Sequence, residues 1–119
     1  MKTLFNLTTS PNDMERFSNR AELLALMESF DGVELLVCEP DERNIVPRER
    51  VFGVHMGYFP YWLDFWRGNE AALMQEFGSL EVCERYYGGS TCEALLTRFR
   101  GDLAAAEAYG ADYVVFHVS

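Results

Sequence analysis

The sequence predicts an α/β fold in which strands and helices alternate and the strands run parallel. Residues 32–38 and 111–118 are almost continuously apolar, which is typical of parallel strands covered on both faces. Helix-capping signals lie between the apolar segments, and no Asn-Gly pair marks an antiparallel hairpin. We therefore expect four parallel strands, with a helical insertion rich in aromatic residues after the third strand.

The first part of the chain contains one strand and one clear helix. Apolar residues predict the strand over residues 2–9, and turn-forming residues follow at 10–13. Asn19 and Glu22 form a capping box for a helix that should end at Gly32. The apolar face of this helix is expected to comprise Leu23, Leu26, Met27 and Phe30.

Two further strands are predicted at residues 32–38 and 51–55. The connection between them, residues 39–50, is close to the minimum length for a parallel crossover. It therefore leaves room for no more than a turn or two of helix.

A long excursion over residues 58–89 contains both tryptophans and many other aromatic residues. It is too long for a plain connection. Asn69 and Ser79 can cap short helices that end at Gly78 and Gly88. We expect this insertion to form a small helical lid.

The last helix and strand complete the pattern. Ser90 and Glu93 form a capping box for a long helix that ends at Gly110, and the fourth strand should cover residues 111–118. The inward residues of the helix are expected to be Leu95, Leu96, Phe99, Leu103 and Ala106.

Composition limits the possible classes of function. The 19 acidic and 10 basic residues give a net charge of −9, which argues against binding to nucleic acid or to anionic membranes. The three cysteines show no C-x-x-C spacing, and no targeting or membrane-spanning segment is evident. We therefore expect residues 1–119 to form a single cytoplasmic domain with thiols as packing residues.

Each of the two histidines closes an apolar strand, His55 the third and His117 the fourth. Active sites gather at the carboxyl ends of parallel strands, so the two rings are expected to share one site. Either ring can bind a divalent metal ion or donate a hydrogen bond to a substrate oxygen. Alternatively, both are partly buried histidines that bond to backbone carbonyls.

Glu34 interrupts the second apolar strand, where a carboxylate is costly unless it has a partner. With His117 it is a candidate catalytic residue, either orienting a histidine or accepting a hydrogen bond from a substrate hydroxyl. The other interpretation is a salt bridge to a helix or within a barrel core.

Three strand motifs carry a resemblance to a known superfamily: DGVEL at residues 31–35, GVH at residues 53–55 and GADYVVFH at residues 110–117. Their order and spacing resemble the amino-terminal half of the xylose-isomerase-like TIM barrels. That superfamily includes sugar phosphate isomerases and epimerases and endonuclease IV-type enzymes. The resemblance covers essentially the whole chain and implies a TIM half-barrel with its lid at residues 58–89.

The resemblance also implies roles for the histidines. In the endonuclease IV branch, the histidines that end the third and fourth strands bind metal, and the matching residues are His55 and His117. In the isomerase branch, residues from the second half of the barrel hold most of the metal, and amino-terminal histidines more often contact substrate. The sequence ends as the fourth strand finishes, so we expect the chain to be part of a larger enzyme.

The aromatic residues of the insertion are candidates for carbohydrate binding. Tyr58, Trp62 and Trp66 offer flat faces that can stack on a sugar ring and exclude water. The alternative is that these side chains form the small core of the lid itself.

Three functional hypotheses follow. The leading one is metal-assisted proton transfer in a sugar or sugar phosphate isomerase or epimerase, with Zn, Mn or Mg as the metal ion. The second is an endonuclease IV-like phosphodiesterase, which the acidic charge disfavours. The third is a half-barrel that pairs with itself through its exposed edges and binds a small ligand without catalysis.

Overall fold

The computed structural model describes residues 1–117 of the chain. They form an α/β protein with one parallel sheet, whose strands are β1 (Leu4–Thr8), β2 (Gly32–Leu36), β3 (Val51–His55) and β4 (Tyr113–Val115). The expected α/β class with four parallel strands is confirmed. By contacts the chain divides into two compact units, the first of Met1–Met56 and Asp102–Phe116 and the second of Gly57–Gly101 with His117. The last strand is shorter than predicted: β4 ends at Val115, so His117 lies two residues beyond it instead of closing it, and residue 118 lies outside the described residues.

Strands that follow one another in the sequence are also neighbours in the sheet of the first unit, which has the order β1-β2-β3-β4. All three strand pairs are parallel. The register aligns Asn6 with Glu34, Glu34 with Gly53, and Gly53 with Tyr113. These four residues therefore form one row across the whole sheet.

The core of the first unit lies on one face of this sheet. Val33, Leu35 and Val54 are fully buried there, and Val51 is nearly so. The register of β2 and β3 shifts between Val33 and Glu34, which allows Val51 and Val54 both to reach this core. Residues outside the sheet that complete the core are Phe17, Leu23, Met27, Ile45, Val46 and Ala106. Because strand side chains alternate, Glu34 faces the opposite side.

Two short helices, α1 (Pro11–Met14) and α2 (Arg20–Leu26), follow β1. The turn expected at residues 10–13 is therefore the start of a helix. Asn19 caps α2 as predicted, because its side-chain oxygen accepts a hydrogen bond of 3.1 Å from the backbone N–H of Glu22. The prediction that this helix extends to Gly32 is wrong, since α2 ends at Leu26 and Gly32 begins β2.

Two leucines predicted to face a core are instead half exposed. Leu26 is 47% exposed because it lies about 60° around α2 from the buried Leu23. Leu103 is 50% exposed because it lies about 60° around its helix from Ala106, which is buried in the core of the first unit. In both cases the apolar pattern extends further around the helix than the surface that buries it.

The connection from β2 to β3 contains one 3₁₀ turn, Arg48–Arg50, which agrees with the expected turn or two of helix. The carboxylate of Asp41 accepts hydrogen bonds from the backbone N–H groups of Ile45 (2.9 Å) and Val46 (2.7 Å). These bonds satisfy backbone donors in a loop that has little regular structure of its own. They hold Ile45 and Val46 in the core of the first unit.

The second unit begins with three short helices, α3 (Trp62–Arg67), α4 (Glu70–Phe77) and α5 (Leu80–Tyr87). The predicted caps are confirmed: Asn69 accepts from the backbone N–H of Ala72, and Ser79 from that of Val82. Gly78 and Gly88 end α4 and α5 in the left-handed conformation, as their positions predict. Helix α3 was not predicted from the sequence.

Aromatic side chains form the core of the second unit. Tyr87 is fully buried, and its ring stacks on Phe65 with ring centroids 4.0 Å apart. The Tyr87 hydroxyl donates a hydrogen bond of 2.6 Å to the carbonyl of Pro60. This bond satisfies the polar end of a ring whose remaining surface is apolar. Other residues of this core are Phe59, Trp62, Leu73, Phe77, Leu80, Cys83, Leu95 and Phe99.

The longest helix is α6 (Cys92–Tyr109), with 18 residues. It ends at Gly110, which adopts a positive φ of 68° as its predicted role as a stop requires. Residues 92–101 belong to the second unit and the remainder to the first. Within residues 1–117, no helix combines the length and the apolar character that crossing a membrane requires.

Two glycine-to-alanine substitutions should change stability in opposite directions. A Cβ at Gly32 would overlap the Phe52 ring and lie 2.5 Å from the carbonyl oxygen of Arg50, so Gly32→Ala should lower the free energy of unfolding by about 1–3 kcal/mol. Gly101 lies inside α6 with open space around it, so Gly101→Ala should raise that free energy by about 0.5–1 kcal/mol. Urea unfolding measures both values, and equal shifts would contradict the packing described for Gly32.

Candidate functional site

The candidate site lies on the face of the sheet opposite the core of the first unit. It consists of Glu34 from β2, His55 from the end of β3 and Tyr113 from the start of β4. The site thus draws on three neighbouring strands, and two of its residues belong to the row that crosses the sheet. Rigid strands therefore hold all three side chains.

Glu34 and His55 form a direct pair. The Oε1 atom of the carboxylate contacts the Nε2 atom of the imidazole. The two side chains are only 20% and 27% exposed, respectively, so the pair is partly shielded from water. A carboxylate facing Nε2 favours the ring form that carries its proton on Nε2, whether the imidazole is neutral or charged. The partner that the sequence analysis required for Glu34 is therefore a histidine.

The second carboxylate oxygen of Glu34 has a different partner. The hydroxyl of Tyr113 donates a hydrogen bond of 2.5 Å to Oε2. This hydrogen bond, with a smaller contribution from burial, raises the pKa of Tyr113 to about 12, because an ionised phenol would face a carboxylate. Tyr113 therefore stays a hydrogen-bond donor at neutral pH.

A glycine allows Tyr113 to reach Glu34. The register places Gly53 between the two residues on the intervening strand. A Cβ at this position would overlap the Tyr113 ring and lie 2.7 Å from its hydroxyl oxygen. The ring thus occupies the space that a side chain on β3 would otherwise fill.

The arrangement can hold an imidazole in one orientation. Carboxylate–histidine pairs occur both in acid–base catalysis, where the carboxylate fixes the tautomer of the base, and beside metal ions, where it orients a ligand histidine. Each use presents the far side of the ring to a substrate or an ion. The three residues are therefore equipped for proton transfer or for ligand binding at His55.

A metal ion bound at His55 would need more ligand side chains than the described part of the chain brings together there. Within residues 1–117, no group of three or more His, Cys, Asp and Glu side chains could hold an ion. His55 with Glu34 behind it fits one position of such a site, because ligand histidines are commonly oriented by a carboxylate. Catalytic zinc ordinarily has three protein ligands. His55 would thus supply one ligand of an incomplete set.

His117, the other histidine predicted as a metal ligand and catalytic residue, belongs to the second unit. Its ring lies edge-on to that of Tyr58, with centroids 5.5 Å apart. The backbone carbonyl of Tyr58 accepts a hydrogen bond of 3.5 Å from the hydroxyl of Tyr86. The structure thus brings together two of the predicted site residues, His117 and Tyr58. The site that His55 and His117 were expected to share stays a prediction.

The two tryptophans differ in their surroundings. Trp62 packs against the aromatic core of the second unit, and its buried Nε1 has no hydrogen-bond partner among the described residues. Trp66 is 44% exposed and Tyr58 is 57% exposed, so both present aromatic surface. Trp62 thus contributes to the core of the insertion, which was the alternative considered for it. Sugar contact by the three residues stays a prediction.

Tyr113 and Gly53 were not predicted from the sequence as residues of the site. In the sequence, Tyr113 is one of several apolar residues in the predicted fourth strand, and Gly53 belongs to a motif that is weak on its own. A glycine on each of two neighbouring strands was the available signal. Gly32 lies beneath Phe52 of the next strand just as Gly53 lies beneath Tyr113. Recognising this repeat requires the strand register, which the sequence alone does not provide.

Comparison with known proteins adds no identification. No protein-family model, no curated protein and no solved structure matches this chain. Function is therefore inferred from the geometry of the site and from the topology of the sheet.

Tyr113 should titrate near pH 12, and Glu34→Gln should lower its pKa towards the ordinary value of 10, because an amide can donate to a phenolate. The ¹³Cζ shift of labelled tyrosine, assigned with Tyr113→Phe, measures both titrations. Since the pKa is raised in the folded state, the stability contributed by neutral Tyr113 is present below pH 10 and is lost as the pH rises towards 12. An identical Tyr113 titration in Glu34→Gln would contradict the hydrogen bond.

Proposed function

We propose that this chain forms the amino-terminal half of a xylose-isomerase-like TIM barrel that isomerises or epimerises a sugar or sugar phosphate. The observation that carries the proposal is the Glu34–His55 pair. The pair lies on the face of the sheet opposite the core of the first unit, and the parallel strands of this sheet follow one another in sequence order. In a TIM barrel, parallel strands also follow one another in order, the helices cover one face, and functional groups lie at the carboxyl ends of the strands. His55 is the last residue of β3.

The sequential strand order favours a barrel over a doubly wound sheet. A doubly wound sheet reverses its strand order at a switch point and carries helices on both faces. Here each strand lies beside the strand that follows it in the sequence. The buried residues of α2 and α6 belong to the same core as the buried residues of the sheet. The row of Asn6, Glu34, Gly53 and Tyr113 on the other face then corresponds to the barrel interior.

Barrel closure requires further strands at both edges. The edge strands of the described sheet are β1 and β4, and in β4 Tyr113 and Val114 are 40% and 38% exposed. Under the proposal, the remaining strands pair with these edges and are supplied either by the same polypeptide or by a second copy of the chain. The intact mass of the denatured product of the native gene distinguishes these two sources, because only a single longer polypeptide exceeds the 13.7 kDa of residues 1–119.

Within such a barrel, His55 would contact the metal ion or a substrate oxygen, and Glu34 would orient it. A bound divalent ion would stabilise the negative charge that develops on substrate oxygens during proton transfer between adjacent carbons. The polar groups of the row would donate and accept hydrogen bonds to hydroxyl groups of the sugar. The acidic chain makes nucleic acid a poor substrate, so an isomerase is preferred to a nuclease.

Solvent proton exchange tests the proposal directly. The product of the native gene, supplied with Mn²⁺ in D₂O, should incorporate deuterium beside the carbonyl of a sugar or sugar phosphate, detected by NMR across a panel of aldoses and ketoses. His55→Ala should reduce the exchange rate about 100-fold or more, and Glu34→Gln about 10-fold to 100-fold.

The matched control is Glu28→Gln, which removes an exposed carboxylate from the same unit and should leave the rate unchanged. Exchange that is equally fast in His55→Ala and in Glu28→Gln would contradict the assignment of the site. Absence of exchange with every sugar of the panel would contradict the proposed reaction.

A further inference from the structure

We propose that Tyr113 is a positioning residue for this site, holding Glu34 so that Glu34 in turn fixes the orientation of His55, and that Gly53 is the residue that makes this contact possible. The inference rests on the proposed function only for the role given to His55. The contacts among the four residues stand independently of that role.

The strand register explains why the residue on β4 must be long and rigid. Glu34 and Tyr113 lie on strands separated by β3, so their backbones are about 10 Å apart. A tyrosine has a rigid ring with a polar tip and only two side-chain torsions, so it covers this distance at low entropic cost. Its hydroxyl reaches Oε2 of Glu34.

Gly53 provides the path for the ring across β3. It occupies the row position between Glu34 and Tyr113, and any Cβ there would overlap the Tyr113 ring. Gly53→Ala should therefore displace the ring without altering Glu34 or His55 directly. This substitution therefore tests the position of the Tyr113 ring while its hydroxyl group stays intact.

The two oxygens of Glu34 have different partners, and this division orients the carboxylate. Oε2 accepts from the neutral hydroxyl of Tyr113, while Oε1 contacts Nε2 of His55. A carboxylate held at one oxygen cannot rotate freely, so the other oxygen keeps its direction towards the imidazole. Loss of the hydroxyl should let Glu34 rotate and should loosen the ring of His55.

The test compares Tyr113→Phe, Gly53→Ala and the control Tyr109→Phe in the full chain. Tyr109→Phe removes a hydroxyl at the edge of the core of the first unit, away from the row. The first readout is ¹³C relaxation at the Cε1–H group of His55, with His117, the only other histidine, as an internal reference. The second is the rate of deuterium exchange from solvent into the sugar, the reaction that tests the proposed function.

In Tyr113→Phe and Gly53→Ala we expect the His55 ring to become more mobile, the His117 ring to stay unchanged, and the exchange rate to fall about tenfold. Tyr109→Phe should match the wild type in both readouts. A His55 ring equally ordered in Tyr113→Phe and in the wild type would overturn the inference, whatever the exchange rate does. If the wild type exchanges no deuterium, the proposed function fails, while the relaxation data still decide the role of Tyr113.

Discussion

A carboxylate in the middle of a parallel strand is the constraint on which the candidate site depends. Glu34 is partly shielded from water, and a carboxylate in such a place is costly unless it has partners. One oxygen contacts the imidazole of His55 and the other accepts from Tyr113. Glu34 therefore has a partner on each of the following two strands, His55 on β3 and Tyr113 on β4.

Sheet geometry converts that constraint into a defined arrangement. Parallel strands in sequential order bring Glu34, Gly53 and Tyr113 into one row. The apolar residues at alternate positions are buried in the core, so a slip of one residue would expose them and disrupt the row together. Packing on one face thus fixes the positions of the polar groups on the other. This coupling is how a sequence with weak individual motifs still specifies a site.

Local signals predicted much of the fold, whereas contacts across strands were not predictable. The helix caps at Asn69 and Ser79 act within a few residues, so the sequence reveals them. Leu26 and Leu103 are exposed because the extent of a buried face depends on the neighbouring elements. For the site, the position of Glu34 showed that it needs a partner, and His55 was a candidate. The role of Tyr113 depends on the register and on Gly53, which only the folded sheet brings together.

A double-mutant cycle between Glu34 and Tyr113 tests the central claim most directly. The free energies of unfolding of the wild type, Glu34→Ala, Tyr113→Phe and the double variant give the coupling between the two side chains. A hydrogen bond to a charged group in this setting should appear as a favourable coupling of about 1–2 kcal/mol. The pair Glu34→Ala and Tyr109→Phe should be additive within about 0.5 kcal/mol. Additivity of the Glu34 and Tyr113 variants within the same range would contradict the account.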